Sequence, residues 1–227
     1  MHRSARRSLP YNDVMQGRSY SPLDRLLGEF DKIINILYAP ARPGRPSPAG
    51  TGGELQLNQA ERLESTRLMR VNHSGEIAAQ ALYQGQALTA RDPAVAAVMR
   101  QAADEEIDHL AWCEERIREL GGRTSLLNPL WYLGSFAIGA VAGTLGDRAS
   151  LGFIAETETQ VEEHLMSHLE KLPPGDRISR SIVDQMKTDE IGHANSARDH
   201  GGIDMPLPVR LAMKLAAKVM TTTAYRL

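Results

Sequence analysis

Residues 105–109 read EEIDH and residues 189–193 read DEIGH. Each holds a glutamate, two spacers and a histidine: Glu106 with His109, and Glu190 with His193. Of the seven histidines in the chain, only these two have a glutamate three positions before them. On a helix, that spacing puts both side chains on one face, one turn apart. One such pair in a glutamate-rich helix is an ordinary solvated surface. Two copies can be two halves of one site, and the sequence around them decides between these.

That sequence reads as helix on both sides. Residues 59–90 form one long helical stretch. Asp92-Pro93 then supply an N-cap and a proline at the first helical position, so a second helix starts there. It runs to about Leu120 and stops at Gly121-Gly122. A third helix covers residues 150–172 and ends at Pro173-Pro174-Gly175. A fourth starts at about Asp176 and ends before Gly201-Gly202. In an antiparallel hairpin, residues equidistant from the turn lie at one height. Glu158 is 16 residues before Pro174 and Glu190 is 16 after it, roughly 24 Å from the turn at the helical rise. Glu76 is 16 residues before Asp92 and Glu106 is 14 after it. The same register occurs twice: a lone glutamate, then Glu-x-x-His 30 residues later in one half and 32 in the other.

Docking the two hairpins brings Glu76, Glu106, His109, Glu158, Glu190 and His193 together. The pattern resembles the ferritin-like di-iron and di-manganese bundles, with one glutamate from each of two helices and Glu-x-x-His from each of the other two. The expected fold is therefore all-α: a ferritin-like four-helix bundle with an added hydrophobic helix and an added C-terminal amphipathic helix. Four carboxylates balance two divalent ions, whereas without metal they would repel and resist burial. Carboxylate and imidazole donors with no thiolate suit iron or manganese. Glu106 and Glu190 are expected to bridge both ions and are the catalytic candidates. Glu76 with His109 completes one ion, and Glu158 with His193 the other. A register shift of one turn would put Glu162 in place of Glu158. Glu105, Asp108, Glu156, Glu162 and Glu163 read as surface charges. His73, His164 and His168 have no paired glutamate and take no role.

Composition narrows the classes further. The 227 residues suffice for one well-buried domain with appendages. A net charge of −2 gives no bulk pull toward nucleic acid, and none is expected as a partner. The one cysteine, Cys113, excludes a disulfide framework and any site of several thiolates. It fits a reducing compartment and reads as a buried, apolar-like thiol. Residues 1–21 read as a disordered tail, since no apolar core follows the basic start. Residues 22–37 carry Leu23, Leu26, Leu27, Phe30, Ile33, Ile34 and Leu37 on one face of a short amphipathic helix. Residues 38–54, with four prolines and four glycines, read as a linker that is not a packed element. The metal-binding domain is expected over residues 55–227.

Two segments stand apart from the ligand helices. Residues 124–146 carry no charge and are long enough to cross a bilayer. Four glycines and an Asn-Pro dilute the stretch, and crossing would put its flanking helices on opposite sides of the membrane. A hydrophobic helix in the membrane interface or along a substrate tunnel is expected instead, with a buried core helix as the alternative. Residues 205–227 carry no acid. There Arg210, Lys214 and Lys218 form a basic stripe beside Leu211, Leu215 and Val219, the pattern of a helix lying on anionic lipid. A solvated helix packed on the bundle is the alternative.

RVNHSGE with Glu76, EEIDH, AETETQVEEHL with Glu158, and DEIGH occur in that order, and the chain ends MTTTAYRL. Over roughly residues 55–227 it resembles the demethoxyubiquinone hydroxylase family, the flavin-free di-iron monooxygenases of ubiquinone biosynthesis. The six ligand positions match that family one by one. The resemblance implies oxygen-dependent ring hydroxylation of a polyprenylated 3-methyl-6-methoxy-1,4-benzoquinol. It implies two iron ions rather than manganese, O₂ as co-substrate, and electrons ultimately from NADH. No Gly-x-Gly-x-x-Gly fingerprint is present for a nucleotide domain of the chain's own. The expected setting is the cytoplasmic face of the cell membrane, as a peripheral protein, with a homo-oligomer or another ubiquinone-biosynthesis protein as a further partner. The competing function is a ferritin-like ferroxidase or peroxidase, which would not need the two lipid-facing segments. Tyr83, seven residues after Glu76, is placed to bond a ligand carboxylate or to be a core tyrosine.

Overall fold

The computed structural model describes residues 33–50 and 56–227. The described residues fall into two units divided after Ala39. In the first, residues 33–38 are a short helix, α1. The expected tail and the expected amphipathic helix up to residue 32 lie outside the described residues. The second unit contains α2 (Gln59–Thr89), α3 (Pro93–Glu119), α4 (Asn128–Thr144), α5 (Asp147–Lys171), α6 (Arg177–Asp199) and α7 (Leu207–Ala224). No strand occurs among the described residues, as an all-α chain requires.

Local chemistry sets the helix ends. Asn58 and Glu61 form a capping box at the start of α2, each side chain bonding the other's backbone N–H. Asp92 accepts from Ala94 N and Pro93 follows it at the start of α3. Gly121, at φ 77°, lets the chain turn away after α3. Helix α5 starts three residues earlier than the sequence suggests, because Gly146, at φ 103°, joins it almost directly to α4. Asp176 caps α6 through Ser179 N. It also receives Arg116 Nη2 of α3 at 2.8 Å, both side chains being buried, which ties the two hairpins together.

The ligand helices pack as the hairpins α2–α3 and α5–α6. Two apolar clusters lie along them. One joins Leu68 and Met69 of α2, Trp112 and Ile117 of α3, Leu165 of α5, and Val183 and Met186 of α6. The other joins Leu82 and Tyr83 of α2, Met99 of α3, Leu151 and Ile154 of α5, and Ala197 of α6. In every helix, the motif glutamate falls in sequence between the residues of one cluster and those of the other. The carboxylates therefore form a polar layer between two apolar ones.

Helix α4 rests on α2 through glycine. A Cβ on Gly139 would stand 2.1 Å from Leu82 O, and one on Gly85 2.3 Å from Phe136 O, so only glycine permits this backbone approach. Tyr132 is fully buried against α2, while Leu130, Leu133, Ile138 and Val141 on the other side are exposed. Helix α4 is thus neither wholly core nor wholly surface. No helix among the described residues is long and apolar enough to cross a membrane.

Two expectations change on packing. The supposed linker is docked over residues 40–50. It has bends and a turn but no regular element, and its backbone bonds α3 through Ala41 N to Glu114, Gly44 N and Arg45 N to Asp108, and Arg45 O, which accepts from Trp112 Nε1. Its sequence hides this, because the docking uses polar groups rather than an apolar period. On α7, Arg210 pairs with Glu156 and Lys214 with Glu163, both at 2.9 Å. Two of the three cations of the basic stripe are therefore held by α5.

Candidate metal centre

The i, i+3 spacing of Glu106 and His109 on α3, and of Glu190 and His193 on α6, turns both pairs inward. Glu76 on α2 and Glu158 on α5 meet them at the same height. Donor atoms of Glu76, Glu106, His109 and Glu190 lie within 4.8 Å of one another, as do those of Glu106, Glu158, Glu190 and His193. Glu106 and Glu190 belong to both groups. All four carboxylates are buried, Glu158 at 1% exposure. Glu162 belongs to neither group.

Both imidazoles point Nδ1 into the layer. His109 Nδ1 is 2.8 Å from Glu106 Oε2 and 3.4 Å from Glu190 Oε1. His193 Nδ1 is 3.1 Å from Glu106 Oε1 and 3.3 Å from Glu190 Oε2. Each Nε2 points outward to a carboxylate of the opposite hairpin: Asp189 for His109 at 2.9 Å, and Glu105 for His193 at 2.8 Å. Such outer carboxylates fix the tautomer and raise the basicity of the inner nitrogen.

Asp189 was not among the residues singled out from sequence, and Glu105 was read as a surface charge. The signal was present, since an acidic residue stands directly before the motif glutamate in both copies. Asp108 and Glu156, also read as surface charges, are bonded to Arg45 and Arg210. The hydroxyl of Tyr83 is buried without a hydrogen bond, so it bonds no carboxylate and belongs to the apolar cluster. Cys113 is a buried free thiol beside Met186 Sδ at 3.7 Å. Burial, followed by the Glu76 charge, pushes its pKa well up.

Burial and mutual charge set the electrostatics of the layer. Burial, then the Glu106 charge, raises the Glu76 carboxyl well above its ordinary range. Burial, then the Glu190 charge, does the same at Glu158. Burial works against charge at both histidines, but their carboxylate neighbours prevail. His109 is held well above the usual imidazole range and His193 is pushed up to about 12. Burial also opposes ionisation of Glu106, yet His109 and His193 hold its carboxyl below the usual range.

The donor set fits a pair of hard divalent cations. It has four carboxylates and two imidazoles, with no thiolate among the donors. The buried Glu158 Oε1 has no hydrogen-bond partner. Buried carboxylate oxygens without partners are costly unless a cation completes them.

Beside α5, an apolar groove of about 580 Å³ is lined by Ile138, Val141 and Leu145 of α4, Phe153 of α5, and Met205 and Val209 near the start of α7. Phe153 lies five residues before Glu158, about 7.5 Å along the helix axis.

Comparison with known proteins agrees with the resemblance read from the motifs. The family model described as ubiquinone biosynthesis protein COQ7 matches residues 64–224. A 3-demethoxyubiquinol 3-hydroxylase of Dechloromonas aromatica is 58% identical over 203 residues, covering 89% of this chain and 98% of that protein. One of Chromobacterium violaceum is 58% identical over 204 residues, covering 90% and 99%. One of Ralstonia pickettii is 55% identical over 216 residues, covering 90% and 100%.

Proposed function

Because the chain belongs to the ubiquinone biosynthesis protein COQ7 family, we propose that it is a 3-demethoxyubiquinol 3-hydroxylase working at a carboxylate-bridged pair of iron ions. The observation that carries the metal assignment is the overlap of two four-residue donor groups on Glu106 and Glu190. Those two carboxylates would bridge. Glu76 and His109 would complete one ion, and Glu158 and His193 the other.

Bound there, two ferrous ions would supply the electrons that activate O₂, and their replenishment would come ultimately from NADH, as the family resemblance implies. The balance of the reaction is one ring C–H, O₂, two electrons and two protons, giving one ring hydroxyl and one water. The protein's own groups prepare the place. His109 and His193 keep Nδ1 on the layer because Asp189 and Glu105 hold Nε2 outside it. The apolar clusters on either side exclude water and keep the carboxylates from being solvated. Before metal binds, burial of Glu76 and Glu158 favours their neutral forms; as ligands both would release that proton to the ion's charge.

The substrate's prenyl tail is apolar, and so are the groove beside α5 and the exposed faces of α4 and α7. Leu130, Leu133 and Val141 on α4, with Leu211, Leu215 and Val219 on α7, leave large apolar side chains in water. Such faces fit a lipid surface. The protein would lie peripherally on the cytoplasmic face of the cell membrane, with the prenyl tail in the groove. The same faces could receive a second copy or a ubiquinone-biosynthesis partner.

The deciding experiment is a single turnover of iron-loaded protein with ¹⁸O₂ and a demethoxyubiquinol analogue. The expected product carries one labelled oxygen on the ring. Glu106→Ala and Glu190→Ala should lose both ions and the product, while Glu76→Ala should lose mainly one ion. Iron oxidation without ring oxygenation would favour the ferroxidase, and full metal retention in all three variants would remove the ligand assignment.

A further inference from the structure

The two halves of the centre repeat the same ligands but differ outside them. Asp189, which receives His109 Nε2, is itself fastened. Arg45 Nη2 reaches its Oδ2 at 2.9 Å and Gln185 Nε2 its Oδ1 at 2.9 Å, and its side chain is 16% exposed. Arg45 is fastened in turn. Its Nε donates to Asp108 Oδ2 at 2.6 Å, while the backbone N–H groups of Gly44 and Arg45 donate to Asp108 Oδ1. Its guanidinium lies 5.0 Å over the Trp112 ring, whose Nε1 donates to Arg45 O. The segment over residues 40–50 thus crosses α3 and reaches α6 with one planar cation. In the other half, Glu105, which receives His193 Nε2, is 44% exposed. Among the described residues its remaining hydrogen bond is to Gln101, one turn away on the same helix.

We propose that Arg45 is a positioning residue for one half of the centre: by clamping Asp189 it fixes the His109 ring and makes the Glu76–His109 position the tighter of the two. This rests on the six-ligand metal assignment above. A ring whose outer carboxylate is fastened from another segment loses little rotamer freedom when metal binds, whereas one whose outer carboxylate is held only from its own helix and by the ring has more to lose. An oriented outer carboxylate also strengthens the inner nitrogen as a ligand. The fork of arginine is needed because Nε and Nη2 serve two different carboxylates at once, which a single ammonium does less well.

The test is an anaerobic titration of the metal-free, full-length protein with Mn(II), reading free ion by its electron paramagnetic resonance signal. The wild type should bind in two resolved steps. Arg45→Ala should weaken the tighter step about 10-fold and leave the weaker one unchanged. Arg45→Lys should recover part of the loss, and Glu105→Ala should weaken the other step instead. Circular dichroism verifies that each variant keeps its helices. Identical isotherms for wild type and Arg45→Ala would overturn the proposal, and so would equal weakening of both steps, which would mean general loosening. If the wild type binds no Mn(II), the six-ligand assignment fails first and takes the proposal with it.

Discussion

At the scale of single residues, His168 shows how burial becomes a pH dependence. Its ring lies 4.0 Å from that of His164, and His168 Nδ1 and His164 Nε2 have no hydrogen-bond partner. Burial, then the neighbouring His164 and Lys171, lowers the His168 pKa to about 2. The unfolded chain takes up this proton near pH 6.5, so the stability it contributes is present above that pH and is lost as pH falls. Between pH 7 and pH 5 the wild type should lose about 2 kcal/mol that His168→Gln keeps. Urea unfolding of both proteins at the two pH values measures this, and parallel profiles would contradict a buried neutral imidazole. His168 took no role from the sequence, because burial has no signature in a lone histidine. The six clustered donors were legible, since a three-residue spacing and two turn positions suffice to put them at one height. Asp189 and Glu105 were not, because each bonds across to the opposite hairpin, a distance the sequence does not measure.

At the scale of elements, caps and breakers were readable and contacts were not. Asp92-Pro93, Gly121-Gly122 and Pro173-Pro174-Gly175 bound the ligand helices as expected. The glycines of residues 124–146 were read as dilution of an apolar stretch, yet they do different things. Gly139 and Gly143 let α4 touch α2, Gly146 turns the chain into α5, and Gly134 meets nothing within 4 Å. Gly139→Ala should therefore cost about 1–3 kcal/mol, because its methyl group would overlap Leu82 O. Gly134→Ala should gain up to about 1 kcal/mol from helix propensity alone. Urea midpoints of the two variants make the comparison, and equal effects would mean that α4 does not sit on α2 in this way. The buried pair of Arg116 and Asp176 was also hidden, since a charged residue in a helix or turn gives no sign that it joins two hairpins.

At the scale of the whole molecule, the apolar faces of α4 and α7 lie outside the ligand bundle, and the proposed attachment to lipid can be tested through their chemistry. Arg210 and Lys214 are already paired with α5, so apolar contact should dominate over charge. Leu215, 67% exposed, should count for more than Lys218. In sedimentation with anionic vesicles, Leu215→Glu should weaken binding by about 10-fold or more, while Lys218→Gln and added salt should change it little. The opposite order would mean an electrostatic attachment. The segment over residues 40–50 was the largest departure from expectation at this scale, because proline and glycine mark the absence of a helix and say nothing of docking. The carboxylate layer between its two apolar clusters has one more consequence. Without metal, burial favours the neutral carboxyl at Glu76 and Glu158, and the neighbouring carboxylates favour the protonated ring at His109 and His193. On the proposed metal assignment, two divalent ions would carry the charge of four protons, so loading would be an ion exchange at constant interior charge. Acidity in the surroundings would then compete with metal supply for the same seats.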